Sequence, residues 1–343
     1  MRKLVSFAKK IFEFLKPGKS YLSCEWLEHG MIFDTGNLIR VCCFQSNKGG
    51  GRPVLLHDFD GKNYNFGQIF DEKNVMRKKH RDGQIIPECE MCPNLIKKKW
   101  DRKNVIKKLL LTHWIDCNSN CLYCPAVRDE ELKQRMTHYN IVPVLKEMID
   151  FSVINKNTLV DISGGEASIY PEFEDMIKLL FDNDFKNIVI NSSGINLSDS
   201  ILKGLKSGNT KLIVSLDSGT KETHEKIKQV DSFDIVVANL KEYLKAAKKK
   251  DSVITKYIIA PPLNDNQEEI EKWLLLNKNL GVKNIFLDVE IGWYRDNSGE
   301  IPAYIKELIK SSKSKAKEMG LKLVLIDRAL MIYNQIKTEA KNV

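Results

Sequence analysis

From residue 107 onward the chain alternates short apolar runs with amphipathic stretches, and no other feature narrows its fold so far. The runs are "KLLLTHWI", "NTLVDIS", "NIVINSS", "KLIVSLDS", "VITKYIIA", "NIFLDVE" and "KLVLI". Near-continuous apolar runs of this length are strands buried on both faces, as in a parallel sheet covered by helices. Between them lie "YPEFEDMIKLLFDN", "SDSILKGLKSG", "FDIVVANLKEYLKAAKKK" and "NQEEIEKWLLLNKNLG", whose apolar residues recur at helical spacing. This alternation predicts an α/β fold, a partial (β/α)6 TIM-like barrel, with a doubly wound open sheet as the structural alternative. Many runs end in Ser, Asp, Asn or Glu, which in either architecture gives a polar, ligand-binding rim at the strands' C-terminal ends.

The 43% apolar content of the 343-residue chain suffices for one large domain and a smaller one. No apolar run is long enough to predict a membrane span. Near the N-terminus Leu4, Phe7, Ala8, Ile11, Phe14 and Leu15 fall at helical spacing, with Lys3, Lys9, Lys10 and Lys16 largely elsewhere. They predict a basic amphipathic helix over 1–20, docked on its own barrel or in weak contact with an anionic membrane surface. Lysines interrupt its apolar positions and no small-residue cleavage site follows, so a cytoplasmic location is expected. The net charge of +9 comes from scattered lysines without a nucleic-acid-binding motif, and nucleic acid is not an expected partner.

Residues 21–100 read differently. Hairpin signals at "FDTGN" and "DFDGKN", a "GGG" loop at 49–51 and little helical periodicity before residue 70 predict a separate small β-rich module. It carries five of the eight cysteines. The lysine-rich "LIKKKWDRKNVIK" is the expected linker to a barrel over 107–343 that ends in a C-terminal helix.

The cysteines are clustered as C-x-x-x-C-x-x-C and C-x-x-C, the pattern of intracellular metal sites rather than of disulfides. In "CNSNCLYCPA", Cys117, Cys121 and Cys124 follow the first barrel strand and sit on its rim loop. Three soft thiolates suit iron–sulfur or zinc, and a three-ligand site leaves one metal position open to an exogenous ligand. The stretch resembles the radical S-adenosylmethionine (radical SAM) superfamily. That resemblance implies a 4Fe-4S cluster on Cys117, Cys121 and Cys124, whose fourth iron chelates S-adenosylmethionine, with Tyr123 near the adenine. It also implies a reductant protein such as flavodoxin or ferredoxin.

Three later segments extend the likeness. "DISGGEAS" resembles the family's Gly-Gly-Glu-Pro motif, in which a strand edge without side-chain bulk reaches the cofactor's amino group. Gly164, Gly165 and Glu166 match, and Ala167 stands where the family usually has proline. "VSLDSGTKETHEKI" resembles the segment of the peptide- and sulfatase-maturating branch that faces the ribose, implying Ser215 and Asp217; a helix N-cap at Ser218 or Thr220 is the structural alternative. "TKYIIAPPLNDN" resembles the fifth-strand region of that branch and implies Lys256 beside the methionine carboxylate, or else a solvent-facing lysine. The family's chemistry is reductive cleavage of S-adenosylmethionine to methionine and a 5′-deoxyadenosyl radical, which then abstracts a substrate hydrogen.

Cys24, Cys42, Cys43, Cys89 and Cys92 surround a hairpin at Gly36, "YNFGQIFDE" and "IPECEMC", an order that resembles the SPASM or twitch module of peptide-modifying radical enzymes. It departs in preceding the barrel and in having one C-x-x-C. The resemblance implies one auxiliary 4Fe-4S cluster on Cys24, Cys42, Cys89 and Cys92. A structural zinc with the same ligands remains open, as does Cys43 in place of Cys42. Peptide or protein modification is therefore the leading reading. Dehydrogenation or epimerisation of a carbohydrate or other small molecule is the alternative enzyme, and a cysteine-rich metal scaffold the non-enzymatic one. Asp288, Glu290, Trp293 and Tyr294 follow the sixth strand, lining its pocket or serving structure.

Overall fold

The computed structural model describes residues 20–42, 52–99, 105–124, 126, 129–297 and 300–339. The amphipathic helix expected from Leu4 to Leu15, Cys43 and the "GGG" loop lie outside them. The strands are β1 (Ser20–Ser23), β2 (Gly30–Asp34), β3 (Leu38–Arg40), β4 (Val54–Leu56), β5 (Ile96–Lys99), β6 (Lys108–Leu111), β7 (Leu159–Ile162), β8 (Asn187–Ser192), β9 (Thr210–Ser215), β10 (Val253–Ile259), β11 (Asn284–Val289) and β12 (Lys322–Leu325).

One ten-stranded sheet runs in the order β12-β11-β10-β9-β8-β7-β6-β2-β3-β4. From β6 to β12 the strands are parallel and neighbours in sequence are neighbours in space. A doubly wound sheet would reverse order at a switch point, so that alternative is excluded. Among the described residues the sheet does not close, and β12 and β4 are its edges. The expected apolar runs form the strands. On one face Val160, Ile188, Ile190, Leu212, Val214, Tyr257 and Leu287 are buried under the covering helices. Those helices, Phe173–Asp182, Asp199–Ser207, Phe233–Ala246 and Gln267–Leu280, are the predicted ones. Trp273 is wholly buried against Tyr257, ring centroids 5.0 Å apart. Burying one such side chain contributes roughly 1.5–3 kcal/mol.

The N-terminal region departs from its expected separateness. β2, "GMIFD", is buried at every position and pairs in parallel with β6, so the barrel sheet continues into this region. The physical reason is that the edge of β6 needs a partner, and Met31 and Phe33 bury there completely. The hairpin at "FDTGN" forms as expected, β2 against β3, with Gly36 and Asn37 in the left-handed region. Asn37 then ties it to the barrel, donating to Thr137 O and Phe59 O and accepting from Thr137 N at 2.8–3.0 Å. "DFDGKN" makes no hairpin. Asp60 accepts from the backbone N–H groups of Lys62 and Asn63, and the chain turns into the helix Phe66–Arg81, N-capped by Asn65. The expected linker opens as a strand, since β5 pairs antiparallel with β1.

Candidate active site

Beyond the ends of β6 and β7 the two chains stay together. Ser163 N donates to Leu111 O, Gly165 N to Trp114 O and Glu166 N to Asp116 O, at 2.6–2.9 Å. This contact is what requires the glycines. A Cβ on Gly165 would lie 2.2 Å from Asp116 O, one on Gly164 2.5 Å from Trp114 O, and Gly164 has φ +113°. The Gly-Gly pair therefore fixes the backbone immediately before Cys117.

The cysteine loop is anchored on its other side by the helix Lys221–Lys228. Asn120 N donates to Lys228 O (2.9 Å) and Leu122 N to Ile227 O (3.0 Å), so the loop satisfies carbonyls that the helix end leaves open. Cys117 is exposed, while Cys121 and Cys124 are half-buried. Burial raises the Cys121 thiol against the opposing charge of Lys228. In the same loop the buried Asn118 Nδ2 and Ser119 Oγ have no hydrogen-bond partner among the described residues. Three thiols beside orphaned polar atoms fit a cluster and its organic ligand, because buried polar groups are normally satisfied.

Beneath the loop lies a buried network that the sequence did not reveal. Asp217, with φ 58° and no exposed surface, accepts from Tyr123 OH (2.5 Å), from Ile258 N (2.8 Å) and from the Lys228 ammonium. Its backbone carbonyl accepts from Asn264 Nδ2 at 2.9 Å. Burial alone would raise the Asp217 pKa, but Lys228 and Lys256 hold it below the usual carboxylate value. Both Asp217 carboxylate oxygens thus already accept from donors inside the protein. Tyr123 is likewise tied by its hydroxyl, although its ring remains partly exposed. Thr220 caps the helix as the structural alternative required, with Glu269 accepting from Gly219 N and Thr220 N.

Glu166 is 1% exposed and its carboxylate accepts from Ser168 N, Ser168 Oγ, Ser192 Oγ and Ser193 N at 2.5–3.1 Å. Three of these bonds end on Oε1 and one on Oε2. By capping the turn Ala167–Ile169, Glu166 also stiffens the position where the family's proline is missing.

Ser215 and Lys256 stand side by side across the β9–β10 pair. Both are half-buried, and among the described residues no carboxylate reaches ion-pair distance of Lys256. Burial lowers the Lys256 pKa, opposed by Asp217 and Asp161. Asp161 was missed in the sequence, where the one polar residue in "LVDI" was its signal. Burial raises it to about 6 while Lys256 opposes, and Asn191 Nδ2 donates to its Oδ1 at 3.0 Å. Asp288 and Glu290 turn out structural. Asp288 accepts from Arg328 N, Ala329 N and the Arg328 guanidinium, and Glu290 accepts from Gly292 N and Trp293 N. Tyr294 is buried and meets Met331 Sδ at 3.8 Å, while Trp293 packs against the core.

A second cysteine site lies in the N-terminal region. Cys24, Cys42, Cys89 and Cys92, from three separate segments, line one pocket with Trp26, Val41 and Pro53; its empty volume, partly open to solvent, is about 450 Å³. Cys24 caps the helix Glu25–His29 by accepting from Leu27 N at 3.3 Å. Burial, then the neighbouring thiols of Cys42, Cys24 and Cys92, push Cys89 up to about 12. Among the described residues no three His, Cys, Asp or Glu side chains close on a single ion, here or at the Cys117–Cys124 loop. Lys73, wholly buried beside this pocket, donates to Leu27 O (2.7 Å) and Trp26 O (3.4 Å).

Comparison with known proteins follows the same lines. A probable GTP 3′,8-cyclase of Saccharolobus islandicus is 26% identical over 231 residues, 64% of this chain and 70% of the relative. Its counterpart from Sulfurisphaera tokodaii is 28% identical over 139 residues, 40% of this chain and 42% of the relative. Among solved structures, Streptococcus suis SuiB bound to its precursor peptide SuiA aligns at a TM-score of 0.51 and 11% identity over 93% of this chain and 75% of SuiB. SuiB bound to S-adenosylmethionine aligns at 0.51 and 12% over 80% of this chain, which spans 60% of that one. Residues 111–276, which hold the three-cysteine loop, the Gly-Gly-Glu segment, Asp217 and Lys256, match the Radical SAM superfamily, so this part of the chain is a Radical SAM domain.

Proposed function

We propose that this chain abstracts a hydrogen atom from a peptide or protein, holding a 4Fe-4S cluster on Cys117, Cys121 and Cys124 and S-adenosylmethionine in the adjoining lumen. When bound, the pair supplies a one-electron carbon–sulfur cleavage that releases a 5′-deoxyadenosyl radical. The protein's own work is positional. The Gly164–Gly165 ladder and the helix Lys221–Lys228 fix the loop, Ser215 offers a hydroxyl for the ribose, and Lys256, with no carboxylate at ion-pair distance among the described residues, suits a carboxylate. Excluding water and stray hydrogen donors from the lumen protects the reactive carbon. A one-electron donor such as flavodoxin or ferredoxin would feed the cluster.

The observation that carries the peptide reading is extent. The likeness to peptide-bound SuiB runs over 93% of this chain, beyond the barrel and into the cysteine-bearing N-terminal region. That region supports an auxiliary cluster on Cys24, Cys42, Cys89 and Cys92, because the four thiols line one pocket, with a structural zinc on the same residues as the alternative. The 26% identity to probable GTP 3′,8-cyclases favours a small-molecule substrate as the second reading. The test is deuterium transfer: reduced protein is incubated with S-adenosylmethionine and deuterated peptides or GTP, and 5′-deoxyadenosine is analysed by mass. Deuterium from a peptide is expected; deuterium from GTP alone would replace the peptide reading.

A further inference from the structure

Lys228 belongs to no motif, yet it is 3% exposed and lies where the cysteine loop meets the protein interior. Its carbonyl accepts Asn120 N, that of Ile227 accepts Leu122 N, and its side chain returns beneath the loop to Asp217 and to Tyr123 OH (3.4 Å). One residue thus grips the loop by backbone and by side chain. The loop carries Cys121 between the two backbone contacts. Burial would strip the proton from the Lys228 ammonium; Asp217 first, then Cys121, outweigh it, so the charge is retained. Asp217 is oriented independently by Ile258 N, so the pair is fixed to β10.

We infer that Lys228 is a positioning residue for the radical chemistry, the buried counter-charge that, balanced by Asp217, holds the Cys117–Cys124 loop in cluster-binding shape. This rests on the radical SAM reading of the loop. Three thiolates gathered at one loop repel one another, and a fixed ammonium on the protein side offsets that repulsion without occupying the open metal position. The inference makes opposite predictions for the two partners. Asp217→Asn leaves Lys228 uncompensated and shifts the midpoint potential of the loop cluster upward. Lys228→Gln removes the ion-pair partner of Asp217 and leaves only Lys256 to oppose its charge, shifts that potential downward and lowers loop-bound iron at least twofold. The double variant, neutral and still hydrogen-bonded, returns the potential toward the parent's.

The experiment is an anaerobic redox titration of the reconstituted full chain and the three variants, followed by electron paramagnetic resonance, with iron content and melting temperature measured alongside. Opposite shifts confined to the cluster signal that S-adenosylmethionine perturbs support the inference. Folded variants with the parent's potential and iron content overturn it. If Lys228→Gln does not fold, the upward shift in Asp217→Asn decides alone, and its absence overturns the inference. A parent chain without any S-adenosylmethionine-sensitive signal fails the radical SAM reading itself, and the inference falls with it.

Discussion

The two cysteine sites differ in how they are built and in how each treats a buried lysine. Cys117, Cys121 and Cys124 lie within eight residues, on one loop whose shape is fixed from both sides by backbone hydrogen bonds. Cys24, Cys42, Cys89 and Cys92 come from three segments and meet only when the hairpin, the helix Phe66–Arg81 and the turn Pro87–Cys89 have packed. At the loop, Lys228 is paired with Asp217 and keeps its proton. At the pocket, Lys73 donates to backbone carbonyls, and burial with nearby Arg77 drives it down to about 7. The first site is electrostatically balanced before a cluster arrives and has a position left for an organic ligand. The second has a buried lysine beside four thiols and, among the described residues, no carboxylate paired with it, an arrangement that suits the auxiliary cluster proposed there.

The largest effect expected is loss of chemistry. Replacing Cys117, Cys121 and Cys124 by Ala should remove about half of roughly eight irons after anaerobic reconstitution and abolish 5′-deoxyadenosine formation. Replacing Cys24, Cys42, Cys89 and Cys92 should remove the other half. Iron and zinc analysis distinguishes the sites; about four irons with one zinc in the parent would make the pocket a zinc site.

Next in size is Gly165→Val. Its Cβ would stand 2.2 Å from Asp116 O, so the segment leading to Cys117 must move, at a cost on the order of 3 kcal/mol. The variant should melt lower and lose iron from the loop while the pocket keeps its own. Unchanged melting and iron content would mean that the 114–116 contact is dispensable.

A pH series on metal-free protein sharpens the contrast between the lysines. Lys73 has a folded pKa near 7 against 10.5 for the ordinary side chain. Between those values the unfolded chain binds the extra proton, so stability rises with pH through the window, by at most about 1.4 kcal/mol per pH unit. Urea denaturation at pH 7 and pH 9 should show that rise in the parent and a flatter response in Lys73→Met. An equal slope in both would remove Lys73 from the account. The smallest effect is expected for Ser215→Ala, which should weaken S-adenosylmethionine binding roughly fivefold through loss of about 1 kcal/mol of hydrogen bonding. Calorimetry giving the parent's affinity would show that Ser215 makes no ribose contact.

The same difference explains what the sequence disclosed. The loop was legible because its ligands are local, and the parallel strands because burial on both faces leaves continuous apolar runs. That Cys24, Cys42, Cys89 and Cys92 share one pocket agrees with the set the module resemblance implied, but the sequence did not show that β2 joins the barrel sheet: "GMIFD" followed by a turn reads as a hairpin arm, and nothing local says that β6 offers it an edge. Lys228 ends "HEKIK", where a lysine ordinarily complements the helix dipole in solvent. Its burial depends on Asp217 and on a loop a hundred residues away, as Lys73's depends on the segment Cys24–Leu27. Asp217 and Glu166 matched family motifs, but the internal donors their carboxylates accept from are brought near only by the fold.

The central claim is that the Cys117–Cys121–Cys124 site is open and takes S-adenosylmethionine while the pocket site is closed. It is tested most directly by electron paramagnetic resonance of the reduced, reconstituted chain recorded with and without S-adenosylmethionine. Two cluster signals are expected, of which one changes on adding S-adenosylmethionine and disappears in Cys121→Ala. Signals that ignore S-adenosylmethionine, or a responsive signal that survives in Cys121→Ala, would contradict the account.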